Sequence, residues 1–397
     1  MRLRFFLIFT MAAAMTSAHF LGQASSAPDQ QRQAALVLEQ QGNNSEAEAA
    51  WRLYLEAHPS SPEPYAHLGL LEARQEHFKE AVPLYRKALA LGPAVPTLRM
   101  NLGLALFKSG ELEQAIVEFQ VLLKGQQPGS AEGQRLTILI GMAHYGLAEY
   151  AKAIPFLRQA AASDKQNLPL RLSLAHSCLW TRQYQCVLDT YREILTLDAE
   201  SAEADMLAGE ALNAMKDNSG AIEQFRAALK ADPKQPDAHF ALGYLLWIQK
   251  QYAEAVSEFQ AELDNNPNHL QAMLYLGDSQ VELKHPEIAL PLLEEVLRID
   301  PGQEMAHLDL GIVYVDTDRK DDALKELKEA ERMAPEDVNV HWRLGRLYRS
   351  MGRKDESKFE LDKASSITKA TDSALVDKIN GAPAKADPAQ QPTAPEK

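Results

Sequence analysis

The chain has 397 residues, 46% of them hydrophobic, and a formal net charge of −14. That length exceeds one ordinary globular core, so it requires several domains or a stack of repeats. The acidic balance disfavours nucleic acid and anionic lipid as partners through Coulomb repulsion, and favours basic ones.

The N-terminus carries Arg2 and Arg4, then an apolar stretch from Phe5 to Met15, then small residues. The apolar stretch is shorter than the ~20 residues of a membrane-spanning helix. This order predicts a signal peptide over 1–24, cleaved after Ala18 or Ala24, and hence an exported chain, periplasmic or secreted. An uncleaved anchor or the start of a cytosolic helix is the alternative. No cysteine follows the leader and no later stretch is long and apolar enough to cross a bilayer. The mature chain is therefore expected to lack stable membrane insertion.

From residue 28 onward one pattern returns. A small residue stands at Ala35, Gly69, Gly103, Gly141, Ala175, Gly209, Gly243, Gly277, Gly311 and Gly345. The interval is 34 residues, except for 38 between Gly103 and Gly141. Twelve residues later comes Ala in most copies (Ala81, Ala255, Ala323), and four after that an aromatic or Leu (Trp51, Tyr85, Phe119, Phe225, Phe259, Leu327). Prolines such as Pro59, Pro233, Pro267, Pro301 and Pro335 close the units. Apolar residues at helical period on both sides of a short polar turn predict a helical hairpin, with proline ending its second helix. The small residue on the first helix is expected to face the alanine on the second, with the bulky residue filling space against the next hairpin. Pro83, Pro155 and Pro291 are expected in first turns, where a missing N–H matters least. A single hairpin cannot bury its apolar face, whereas a stack can.

The period and these positions resemble the tetratricopeptide repeat (TPR), in the manner of bacterial exported TPR proteins. The resemblance covers residues 28–371 in ten copies, starting near Pro28, Pro62, Pro96, Gln134, Leu168, Ala202, Pro236, Leu270, Glu304 and Val338. It implies an all-α fold, a right-handed α-solenoid of about ten hairpins. The extra four residues fall in a loop near 125–130, a C-terminal solvating helix is expected over 372–380, and 381–397 reads as a disordered Ala/Pro/Lys tail.

Ten repeats leave no room for a catalytic domain, and no nucleophile elbow, P-loop or zinc-protease motif occurs. No enzyme activity, cofactor or metal is expected. His239, His307 and His341 share one repeat position, but Met273 interrupts the series, and they read as surface or packing residues. Asp316, Asp318, Asp321 and Asp322 lack the glycine and terminal glutamate of a calcium loop. Cys178 and Cys186 bracket the turn of the fifth hairpin, so either a cross-hairpin disulfide or two separate thiols fits.

The resemblance also implies a groove lined by first-helix residues one and four places after the small residue and three before it. Those positions include Leu70, Leu104, Phe107, Met142, Tyr145, His176, Leu179, Phe240, Tyr244 and Trp247, with Arg346 and Arg349 in the last copy. Phe240, Tyr244 and Trp247 form one helical stripe, expected to be exposed. This mostly apolar lining points to a non-catalytic protein-protein interaction scaffold that captures a peptide or helix. The rival reading is a structural or assembly subunit of a cell-envelope secretion, pilus or polysaccharide-export machine.

Overall fold

The structure, a computed structural model, describes residues 27–92 and 96–379. The expected leader, Pro93 and the 381–397 tail lie outside the described residues. The described chain contains twenty α-helices and no strand. They pair as ten hairpins of an A helix and a B helix. The A helices are α1 (Ala27–Gln40), α3 (Pro62–Arg74), α5 (Pro96–Ser109), α7 (Ala131–Gly146), α9 (Leu168–Trp180), α11 (Ala202–Ala214), α13 (Ala238–Ile248), α15 (Leu270–Glu282), α17 (Glu304–Asp316) and α19 (Val338–Ser350). The B helices are α2 (Asn44–Ala57), α4 (Phe78–Leu91), α6 (Leu112–Leu123), α8 (Tyr150–Ser163), α10 (Tyr184–Leu195), α12 (Asn218–Ala231), α14 (Tyr252–Asn265), α16 (Pro286–Ile299), α18 (Lys320–Met333) and α20 (Lys354–Ile379).

The chain divides into two compact units, with α1–α8 in the first and α9–α20 in the second. In the second unit each A helix packs on its own B helix and, from α11 onward, on the preceding B helix. Successive A helices there also touch, α13 on α15, α15 on α17 and α17 on α19, more closely than successive B helices do. The A helices therefore line the inner face of that stack.

Every A-to-B turn contains one left-handed residue at the same register: Gly42, Glu76, Gly110, Ala148, Arg182, Lys216, Lys250, Lys284, Asp318 and Gly352. The turn closes each A helix with paired bonds, as from Lys250 N to Trp247 O at 2.8 Å and Gln251 N to Leu246 O at 2.9 Å. Only three of the ten positions hold glycine. At the others the bonds and the packing of the two helices outweigh a backbone cost of about 1 kcal/mol.

The seam inside each hairpin differs from the expectation. A Cβ on Gly243 would sit 2.8 Å from the Phe259 ring, and one on Gly209 would sit 2.5 Å from Phe225. The glycine thus faces the bulky residue of its own B helix rather than the alanine, because the ring lies flat across the backbone. That ring also reaches the next hairpin, as Phe259 does in stacking on Tyr275 with centroids 5.9 Å apart.

Three other features depart from the sequence reading. Pro83, Pro155 and Pro291 each sit six residues into their helices, in the second turn. All three are exposed, so water can take the carbonyl that each ring frees. The stretch expected to form a separate terminal helix continues α20, which runs unbroken for 26 residues. Finally, α13 starts two residues later than the repeat register, after Pro236 and a left-handed Asp237 (φ 59°).

Candidate functional site

In the first unit, Leu70, Phe107, Met142 and Tyr145 are half-buried, whereas Leu104 is buried, only 8% exposed, within the core between α3 and α8. Leu104 has little surface to offer a partner. Phe107 leans on Phe119 and Tyr145 on Tyr150.

In the second unit, His176 and Leu179 are half-buried on α9, and the neighbouring Trp180, largely exposed, donates from Nε1 to His176 Nε2 at 3.2 Å. Burial pushes the His176 imidazole below its usual range. Cys178 and Cys186 stand across the α9–α10 turn with Cα atoms 5.9 Å apart and sulfurs at bonding distance.

Phe240, Tyr244 and Trp247 do form one stripe on α13, but half-buried instead of fully exposed. Tyr244 stacks on Trp247 with centroids 5.9 Å apart. Tyr275 of α15 packs edge-on against both, at 5.3 and 4.9 Å. Trp247 Nε1 donates to the Asp278 carboxylate, which fixes the indole. Burial raises the Asp278 carboxyl to about 6, against the Trp247 bond that lowers it.

A pocket of about 350 Å³ opens beside the stripe. Met206, Glu210 and Asn213 of α11 face Asp237, Phe240 and Tyr244 across it, with His269 at one end. A second pocket, of about 420 Å³, lies between α17 and α19, where Ile312, Val315 and Asp316 meet Trp342, Arg343 and Arg346. There the Arg346 guanidinium lies 4.6 Å above the Trp342 ring.

Sequence reasoning missed one register position, two residues before the small residue. It holds Ala241, Tyr275, Asp309 and Arg343, where successive A helices meet. Asp309 is 3% exposed, and its Oδ2 has no hydrogen-bond partner. Burial and the nearby Asp278 push its carboxyl well above the usual range. Glu304 Oε1 is buried and unpartnered as well. The signal was the same 34-residue spacing, read one face further round the helix.

The repeated histidines form bridges. His341 Nδ1 meets Glu360 Oε2 at 2.7 Å, and its Nε2 meets the Pro335 carbonyl at 2.8 Å. His307 does the same with Glu326 (2.6 Å) and Pro301 (3.2 Å), and His239 with Glu258 (2.6 Å) and Pro233 (3.3 Å). Each ties its own B helix to the end of the preceding hairpin. Two histidine-carboxylate groups lie at metal-ligand spacing, Glu331 with His341 and Glu360, and Asp237 with Glu262 and His269. Both nitrogens of His341 are already committed. His269 Nδ1 accepts the Ala272 N–H at 3.1 Å, which leaves the ring's N–H on Nε2, 3.5 Å from Asp237. Neither ring offers a free lone pair to an ion.

No curated protein matches the chain. Among solved structures it is similar to YrrB, described as a TPR protein with an unusual peptide-binding site, at 21% identity over 48% of this chain and 97% of that one, with a TM-score of 0.40. It is similar to MamA from Desulfovibrio magneticus RS-1 at 20% identity over 43% of this chain and 97% of that one, with a TM-score of 0.40. The TPR domain of P58(IPK) is similar over 87% of this chain and 99% of that one, at 16% identity and a TM-score of 0.27. Tetratricopeptide-repeat models match residues 32–93, 67–131, 188–236, 207–269, 240–304, 284–332 and 338–371. Those segments span more than half of the sequence, and the chain belongs to the tetratricopeptide-repeat family, whose repeats build protein-interaction scaffolds.

Proposed function

We propose that the chain is an exported, non-catalytic adaptor that holds a peptide or helix of another protein on the inner face of its second unit. The observation that carries this reading is the aromatic stripe of Phe240, Tyr244, Trp247 and Tyr275, half-open to solvent and continuous with the pocket beside it. Aromatic side chains held rigid by packing and by the Trp247–Asp278 bond bring large contact area at low entropic cost. Export would keep the Cys178–Cys186 link oxidised. No described helix is long and apolar enough to cross a membrane.

The test is Tyr244→Ala with Trp247→Ala in the full chain. Capture of the partner from the native envelope, read by mass spectrometry, should be lost while helicity by circular dichroism is kept. Unchanged capture would sink the groove.

One observation favours the rival reading, an assembly subunit of a cell-envelope machine. Val117 and Val121 lie one turn apart on the B helix α6, 57% and 46% exposed. Photo-crosslinkers placed in cells at Val117 and at Tyr244 separate the two readings by which position captures protein.

A further inference from the structure

We infer that the pocket between α11 and α13 receives the side chain of a lysine or arginine on an extended polypeptide, with the aromatic stripe taking the apolar residues next to it. This rests on the groove reading above and names the chemistry of the occupant.

Two carboxylates enter the pocket, from Glu210 and Asp237, and no lysine or arginine lines it. Glu210 makes no hydrogen bond or ion pair within the described chain. Its tip reaches solvent, yet the surrounding concavity and Asp237 push its carboxyl above the usual range. Among the described residues, Asp237 is the one left-handed non-glycine residue outside the A-to-B turns. It stands where α13 starts late, so a local backbone cost accompanies the placing of this acid. Phe240 and Tyr244, with centroids 6.2 Å apart, give the same pocket two ring faces. Carboxylates beside aromatic faces suit a cation on an alkyl stem, which gains from both charge pairing and the ring quadrupoles.

The acidic character continues along the inner face. Asp278 lies buried behind Trp247, and the unpartnered Oδ2 of Asp309 follows one hairpin further on. The tenth hairpin supplies the contrast. Arg346 occupies there the register that Tyr244 holds in the seventh, and it covers Trp342 with a cation from the chain itself. The α11–α13 pocket has the acids and the rings with no lysine or arginine over them; His269, 4.6 Å from the Phe240 ring and 3.5 Å from Asp237, is its one basic side chain. A bare metal ion suits it less: beyond the Asn213 amide and His269, whose Nδ1 already accepts from Ala272 N, rings and apolar side chains make up the rest of its wall.

The experiment selects phage-displayed random dodecapeptides on the full chain and sequences the bound pool. Lysine or arginine flanked by apolar residues should be enriched. With Glu210→Gln and Asp237→Asn together that enrichment should vanish while the apolar preference remains, and affinity for a selected lysine peptide should fall about tenfold, to that of its glutamine analogue. Circular dichroism confirms that both proteins are equally helical. Enrichment without cations, or equal affinity in the double variant, overturns the inference. If Tyr244→Ala with Trp247→Ala still abolishes binding in that case, the groove stands and only the cation falls; if no peptide binds at all, both fall.

Discussion

Helix α13 presents two faces with opposite characters. One carries Gly243, pressed onto Phe259, which is fully buried along with Ala255. The other carries Phe240, Tyr244 and Trp247, half-open, with Asp278 held behind them. The first face recurs hairpin after hairpin with only ring or leucine exchanged: Gly209 on Phe225, Gly277 on Leu293, Gly311 on Leu327. The second changes from aromatic and acidic on α13 and α15 to arginine-bearing on α19. Geometry dictates the seam, since a flat ring needs a neighbour without a Cβ. The inner face is free of that constraint and carries groups that do not help folding, among them unpaired acids.

The largest effect should come from the seam. Phe259→Ala removes a fully buried ring that touches its own glycine, Phe240 and Tyr275, and should cost about 3–5 kcal/mol. Tyr244→Ala, on the other face, should cost about 1 kcal/mol. Because repeat stacks need not unfold in one step, the comparison is best read from hydrogen exchange of α13 and α14 amides. Equal losses at both sites would erase the distinction between the faces.

The repeat register was the legible part, although the glycine expected to face the alanine lies instead on the bulky residue. The starts of α3, α5, α9, α11, α15, α17 and α19 coincide with the repeat starts that the spacing and the family resemblance implied. Departures have local causes. Ser130 accepts from Gly133 N and starts α7 early, while Pro236 and the left-handed Asp237 delay α13. The site was half-legible. Met206, Glu210, Asn213, Phe240 and Tyr244 fall at the three positions that the resemblance marks. Asp237 and His269 escaped because they precede their helices, and Tyr275, Asp309 and Arg343 because contact between successive A helices is a property of the stack and leaves no mark within one repeat. The histidine bridges escaped for the same reason, since each partner lies 19 residues ahead or six behind, outside the histidine's own helix.

A second test works in the opposite direction. Asp309 lies buried with an unpartnered oxygen, and burial and Asp278 outweigh the opposing Arg343, so Asp309→Asn should stabilise the second unit by about 1–3 kcal/mol at pH 7. The sign with pH follows from the raised carboxyl. The folded state holds its proton more tightly than the unfolded chain, so the native protein loses stability as pH rises through the ordinary carboxylate range toward the raised folded value. The advantage of asparagine should therefore be greatest at neutral pH and fade below about pH 4. Thermal melts of both proteins across that range check it. If Asp309→Asn instead lowers the melting temperature at neutral pH, the inner face carries no such burden.

The smallest effects should come from the histidine bridges, where the two kinds of region meet. Each ring joins the B helix of its hairpin to the proline carbonyl that ends the hairpin before, so it holds a junction instead of a core. The three bridges are graded. His341 and Glu360 are both almost fully buried with two short contacts, His307 and Glu326 are nearly so, and His239 and Glu258 are more open. Solvent competes for the bonds in the same order, and Glu360 keeps Lys328 at 3.1 Å when its histidine is lost. Replacement by alanine should then cost about 2 kcal/mol at His341 and below about 1 kcal/mol at His239, with His307 between. Hydrogen exchange should place each loss in the helices on either side of that junction. Met273 occupies the same register with Leu292 where the glutamate would be, so the junction before α15 already lacks the bridge, and Met273→Ala should leave the protection of α14 unchanged to within the loss of its own apolar contact. A flat series, or losses spread evenly over the unit, would show that the bridges act as ordinary packing and that the seam alone holds successive hairpins together.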